Sequence, residues 1–303
     1  MNALAVVAAL LLEQWRPLGD RAGYAAALAA WADRLERAFN AGEARHGLVA
    51  WLVAVVPVLV AVAALYYALL WASPLLALAF NVLALYLTLG FRQFSHYFTD
   101  LQLAIRAGDV DRARELIGAW RGEAAQHRSR EEVIRLAIEE ALVASHRHVF
   151  GVLFWFVLLP GPCGAILYRL AITLRRRWRG LGAFGAFGER AARALEWPAV
   201  RLTAVSFAIV GDFEDAVYCW RTQAQAWPDA EAGVVLAAGA GALGVRLGMP
   251  LTAVDGVEVR PELGVGEAAE APFLDGAVGL VWRAVVVWVF ALLVLAVAGA
   301  LPL

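Results

Sequence analysis

The residues most capable of chemistry are arginines set inside apolar sequence. Arg201 lies in the apolar stretch 197–210, and Arg246 lies in 233–247, which is dense in Gly and Ala. A guanidinium in such surroundings is costly unless it is paired or faces water, so both are candidates to hold an anion. Arg147, flanked by His146 and His148, and Arg175, which opens Arg175-Arg176-Arg177, place two more cations beside apolar segments. Glu139 adds a carboxylate upstream. Arg201 and Arg246 together predict a pocket for an anionic small-molecule ligand, with no catalytic group, metal or cofactor assigned. The competing reading pairs Arg201 and Arg246 internally with Glu196, Asp212 or Asp215, so that they only hold the helices together. Two histidines separated by one residue point to different faces of a helix, which argues against a metal at His146 and His148. Cys163 and Cys219 form no CxxC pair and read as small core residues.

These groups need elements to carry them, and composition says which. Of 303 residues, 62% are hydrophobic and 17% charged, with a mean hydropathy of +0.65. A soluble domain is nearer half apolar and a quarter charged. The chain therefore reads as an all-α, polytopic membrane protein whose first partner is the lipid bilayer. A net charge of −1 provides no basic field to gather phosphates, which excludes a nucleic-acid partner. No protein partner follows from the sequence.

About four transmembrane or re-entrant segments are expected, with amphipathic and cytoplasmic-side helices between them. The apolar start, 1–12, lacks a basic region and a cleavage site, so it reads as a retained, partial or tilted segment. No charged residue stands between Arg45 and Arg92. Residues 48–71 and 74–91 are each long enough to cross as a helix. They are broken only at Ser73-Pro74, where Pro suits a helix start. This hairpin leaves its flanks, 13–47 and 92–148, on one side. Residues 13–47 are amphipathic, with Leu28, Trp31, Leu35 and Phe39 at helical spacing. Residues 92–148 read as a polar helical insertion, with an N-cap at Asp109 and a capping box at Ser129-Arg130-Glu131-Glu132.

Residues 149–174 are apolar but interrupted by Pro160-Gly161-Pro162. They form either one kinked span or a re-entrant pair of half-helices. Arginines on both sides of the segment favour re-entry under the positive-inside rule, which makes 92–148 and 175–195 both cytoplasmic. Residues 180–188, glycine-rich and without a following Gly-Lys-Ser/Thr, read as a flexible linker rather than a phosphate loop. Asp255-Gly256 is a hairpin-turn signal. Residues 252–276 read as an acidic loop before a last span, 280–301, entered at Trp282 and Arg283.

Several segments resemble the CobD/CbiB family of membrane proteins. The clearest are Glu196-Trp197-Pro198-Ala199-Val200-Arg201-Leu202-Thr203-Ala204 and Gly241-Ala242-Leu243-Gly244-Val245-Arg246-Leu247-Gly248. Arg106-Ala107-Gly108-Asp109, Asp215-Ala216 and 254–264 also match, and the resemblance implies one family domain over 1–303. Ala137–His148 has the frame of the family's "AIESVAENLSDG" and keeps Glu139. The family's second Glu, Asn and Asp fall on Val143, Ala144 and Arg147. In a segment like "YKAINTLDSM", the Asn and Asp become Ile172 and Arg175. The family's "HPSPNAG" maps onto 227–233, where Pro228, Ala232 and Gly233 remain. Its N-terminal motif survives only as Leu18-Gly19-Asp20, and Glu13-Gln14-Trp15 looks more like AmpE, a divergent relative.

The resemblance implies a synthase that joins an amino alcohol, or its phosphate, to a corrinoid carboxylate using ATP. Such activation uses Mg²⁺ held by carboxylate oxygens near the phosphates. Arg147 and Arg175 in place of acids cannot do that, and would attract an anion instead; the resemblance thus implies that Arg147, Arg175 and the retained Glu139 border the anion pocket of Arg201 and Arg246. The expectation is therefore a non-synthase, AmpE-like accessory or sensory protein of the bacterial inner membrane, linked to cell-wall recycling and β-lactamase induction. The alternative is adenosylcobinamide-phosphate synthase of cobalamin biosynthesis. A transporter stands third, since no inverted repeat is evident.

Overall fold

The computed structural model of the chain describes residues 2–16, 21–123, 125–253 and 256–299. Its fold is that of an all-α polytopic membrane protein. In chain order the helices are α1 (Asn2–Trp15), α2 (Arg21–Phe39), α3 (Ala44–Ala72), α4 (Pro74–Thr88), α5 (Phe91–Ala107), α6 (Val110–Arg121), α7 (Arg130–Ser145), α8 (Gly151–Leu158), α9 (Cys163–Trp178), α10 (Gly182–Val210), α11 (Phe213–Gln223), α12 (Ala230–Leu243) and α13 (Ala271–Val297). Short strands β1 (Val245–Gly248), β2 (Leu251–Ala253), β3 (Gly256–Glu258), β4 (Glu262–Leu263) and β5 (Glu267–Ala268) stand between the last two helices. Among the described residues, three helices are long and apolar enough to cross a bilayer: Ala44–Ala72, Arg130–Leu158 and Ala271–Val297.

The chain divides into two compact units. The first comprises Met1–Leu89, Gly151–Ala199 and Leu292–Leu303. Here α3 and α4 form the expected hairpin. Its break is at Ser73, whose side chain accepts from the Leu75 N–H at 3.3 Å, with Pro74 at the helix start. The helix α4 stops at Thr88, short of the predicted end at residue 91. At ~1.5 Å per residue it covers only about 22 Å, less than a hydrocarbon core of about 30 Å. The helices α8 and α9 pack on each other after the predicted interruption, with Gly161 at φ +55°. A Cβ at Gly164 would overlap the Trp155 carbonyl, so glycine permits that approach.

The expected linker at 180–188 is corrected. Only a short turn forms, with Gly180 and Gly182 at positive φ, and α10 begins at Gly182. Phe184 is fully buried in a core with Ala32, Leu35, Ala50, Leu174 and Trp178. Gly185 lies against the Trp178 carbonyl. The glycines there serve close packing, and burial of Phe184 outweighs their low helix propensity.

The second unit comprises Gly90–Phe150 and Val200–Ala291. Its start is tight: a Cβ at Gly90 would come within 2.6 Å of His148 Nδ1. Asp109 caps α6 by accepting from the Arg112 N–H at 2.9 Å, and the Ser129/Glu132 capping box opens α7, both as read from sequence. A five-residue π-helical turn, His146–Phe150, continues α7. The strand β1 lies between β4, antiparallel with Leu247 opposite Leu263, and β5, parallel with Val245 opposite Glu267. Within 252–276, β2 and β3 pair as an antiparallel hairpin with Ala253 opposite Gly256; Asp255 of the predicted turn lies outside the described residues, as does Leu18-Gly19-Asp20. The last helix starts well before the predicted residue 280. Asp275, one turn into it, accepts from Gln102 at 2.6 Å and Arg106 at 2.7 Å, which holds its polar start against α5.

Candidate functional site

The second unit's charge is organised on one face of α7. Glu132, Arg135 and Glu139 follow helical spacing, so their side chains share a face, and Arg128 extends that line one turn upstream. Each meets the backbone of 248–252. Glu139, 3% exposed, accepts from the Gly248 N–H at 2.9 Å. Arg135 donates to the Pro250 carbonyl at 3.0 Å and to the Met249 sulfur at 3.4 Å. Glu132 accepts from the Thr252 N–H at 2.6 Å, and Arg128 donates to the Thr252 carbonyl and to Glu258. A polar helix face thus satisfies the donors and acceptors of a short strand segment that would otherwise be buried without partners.

Arg260 completes the cluster. It donates to both oxygens of Glu139, at 2.5 and 2.6 Å, and stacks over the Trp227 ring at 4.8 Å. That is a charge-assisted bond combined with a cation–π contact in a dry setting. Gly248 is required at this point. It adopts φ +70°, and a Cβ would collide with the Pro261 carbonyl and approach Trp227.

One turn further along, the π-turn redirects the side chains. His146, fully buried, bonds Thr203 Oγ1 through Nδ1 at 3.0 Å. Arg147, half-buried, donates to Asp229 at 3.1 Å. Asp229 also caps α12 by accepting from the Ala232 N–H. The small residues of α12 allow close packing, with Gly239 against Leu142 and Gly241 against the backbone of Asp215.

Four of the segments that resemble the family, 137–148, 227–233, 241–248 and the described part of 254–264, therefore meet around α7. Of the predicted site residues, Glu139 and Arg147 are in this cluster. Arg246 lies on β1 rather than in an apolar helix; its side chain is 42% exposed and sits 3.7 Å from Glu262. Arg201 is half-buried on α10, in the second unit. Arg175 belongs to the first unit, where it is buried between Glu196, itself 1% exposed, and Glu189 at 2.9 Å. Sequence reasoning missed Arg135, Trp227, Gly248 and Arg260. The signal available was the 132-135-139 charge spacing along a helix otherwise rich in Val, Ile, Leu and Ala. Among the described residues no group of three or more His, Cys, Asp or Glu comes together to hold a metal ion. Glu132 and Glu139 are each committed to backbone N–H groups or arginine, so these residues do not fit a cation held by the protein alone.

Comparison with known proteins identifies the setting. A family model described as "CobD/Cbib protein" matches residues 5–281. A protein of Stutzerimonas stutzeri (strain A1501) named "Cobalamin biosynthesis protein CobD" is 38% identical over 298 residues, covering 96% of this chain and 96% of that protein. One of Chromobacterium violaceum with the same name is 38% identical over 74% of this chain and 72% of its own length. One of Mycobacterium tuberculosis, again so named, is 41% identical over 31% of this chain and 33% of its own length. No solved structure matches.

These relatives overturn the expectation of a non-synthase, AmpE-like accessory protein, and leave the leaning against an enzyme without support. That expectation weighed Arg147 and Arg175 one position at a time. Each arginine in fact stands against carboxylates from elsewhere in the sequence, Arg147 on Asp229 and Arg175 on Glu189 and Glu196. Acidic groups are therefore present beside the positions where the family pattern has them. With the family match running through most of its length, the chain belongs to the CobD/CbiB family.

Proposed function

We propose that this protein is a multi-pass inner-membrane synthase of cobalamin biosynthesis, an adenosylcobinamide-phosphate synthase. It would form an amide between the amine of an amino alcohol, or of its phosphate, and a corrinoid side-chain carboxylate. The carbon–nitrogen bond forms as one carboxylate oxygen leaves with phosphate, and ATP is consumed to ADP and phosphate. The observation that carries this reading is the 38% identity to a cobalamin biosynthesis protein over 96% of both chains.

The residues of the second unit suit parts of that task. Arg147, Arg201 and Arg246 are the arginines assigned to the anionic groups of the substrates. Guanidinium forks suit carboxylate and phosphate oxygens. Glu139 is a positioning residue. Through Arg260 and Gly248 it fixes β1, and with it Arg246.

The test is complementation of a strain lacking its synthase, followed by assay of the purified protein with a corrinoid acid, an amino alcohol and ATP. Restored cobalamin production, with ADP formed only when both other substrates are present, is expected. Failure to complement from a well-expressed, membrane-inserted protein, with no substrate-dependent ADP, would overturn the proposal.

A further inference from the structure

The end of α9 and the starts of α3 and α10 gather with α2 at one face of the first unit. Arg177 near the end of α9 pairs with Asp33 of α2, and the Trp178 indole N–H donates to the Ala32 carbonyl at 3.2 Å. The start of α3 lies against the start of α10, since a Cβ on Gly47 would overlap the Phe184 carbonyl. One turn along α3, Trp51 meets Phe187 edge-on at 5.5 Å.

That face is basic. Arg34, Arg37, Arg45 and Arg176 are exposed on it. Against Arg34, Arg37, Arg45, Arg176 and Arg177 stand three carboxylates, Asp33 paired with Arg177, Glu43 paired with Arg45, and Glu36, which accepts from Asn40 at 2.9 Å. Positive charge remains in excess.

The level of this face along α3 is also fixed. Leu48, Val49, Leu52, Val53 and Val56 are exposed, so an outward apolar surface begins within one turn of Arg45. At the other end Trp71 is 93% exposed. The 26 steps from Arg45 to Trp71 span ~39 Å at 1.5 Å per residue, which matches a bilayer of about 40–45 Å with its headgroups. An interfacial tryptophan thus marks one boundary and the arginines mark the other.

We propose that the basic face formed by α2, the start of α3 and the end of α9 is a docking surface for the headgroups of anionic phospholipids. The partner chemistry follows from excess guanidinium charge held level with the phosphate layer and continuous with an apolar wall. Long arginine side chains reach that layer while their stems stay on apolar surface.

The test uses the full chain in phosphatidylcholine bilayers containing trace spin-labelled phosphatidylglycerol or phosphatidylcholine. Electron spin resonance reads the fraction of each label immobilised by the protein. The wild type should hold phosphatidylglycerol about fivefold more strongly than phosphatidylcholine. The preference should collapse at about 1 M salt, where the screening length is about 3 Å. Arg37→Gln/Arg45→Gln/Arg176→Gln should lose most of it, whereas Arg112→Gln/Arg130→Gln in the second unit should keep it. An unaltered preference in the triple variant, equal loss in the control variant, or a wild-type preference that is absent or indifferent to salt would each overturn the proposal.

Discussion

Two helices of the same length do opposite jobs in this molecule. Ala44–Ala72 and Arg130–Leu158 each run for 29 residues, and both are apolar enough to cross a bilayer. The most apolar window of the first is 17% buried by the rest of the protein, whereas that of the second is 61% buried. The first spends its side chains on an outward wall of Leu and Val. The second begins with Glu132, Arg135 and Glu139 turned onto a strand segment, and ends in Phe150, Val152, Leu153 and Phe156, all fully buried. Hydropathy measures the cost of meeting water. It does not distinguish a helix that meets lipid from one that meets protein.

The largest test of that difference is Glu139→Ala. It strips Arg260 of its carboxylate and the Gly248 N–H of its acceptor, both in a buried setting. Removing one partner of a buried charge pair costs about 3–5 kcal/mol. Chemical denaturation in detergent should show a loss of that size, accompanied by loss of the proposed synthase activity. A loss below about 1 kcal/mol, the range of an exposed pair, would mean that the α7 face is wet.

Cys219, buried on α11, probes burial elsewhere in the second unit by rate. Burial, followed by the nearby Asp215 carboxylate, pushes its thiol up to about 11. The reactive thiolate is thus scarce below that pH and grows only as pH rises toward it. At pH 8 alkylation should be about 100-fold slower than for an ordinary thiol, from the two-unit shift alone. Labelling of Cys219 in the native protein at the rate of a free cysteine would contradict its burial.

Gly164→Ala tests the approach of α8 and α9. Its Cβ would overlap the Trp155 carbonyl, which is backbone and cannot rotate away. A loss of about 1–3 kcal/mol is expected, read as a lower thermal midpoint. An unchanged midpoint would show that the two helices separate freely. The smallest effect belongs to the lipid wall: Val56→Ala, on an exposed position of α3, should change stability by less than about 0.5 kcal/mol. A cost above about 1 kcal/mol would place a protein neighbour there.

Much of the fold was legible because it is local. The α3–α4 break follows from Ser73-Pro74, and the cap of α6 and the start of α7 follow from Asp109 and Ser129, since capping is settled within four residues. Membrane residence follows from composition. The family follows from short motifs whose residue types survive. The β2–β3 pairing of Ala253 with Gly256 agrees with a hairpin in this stretch.

Other features needed partners far away in the chain. The glycines of 180–188 read as a linker until Phe184 found a core built from α2, α3 and α9. Arg246 read as intramembrane until β4 and β5 placed it on a strand beside Glu262. Glu139 is an ordinary acid in sequence and becomes buried only because Arg260, 121 residues away, arrives with Trp227. Composition and local pattern thus determined the solvent, the helices and the family. The tertiary structure alone decided which charges are paired, because the worth of a charge depends on its neighbours and on the dielectric around it, and folding brings those neighbours from distant parts of the chain.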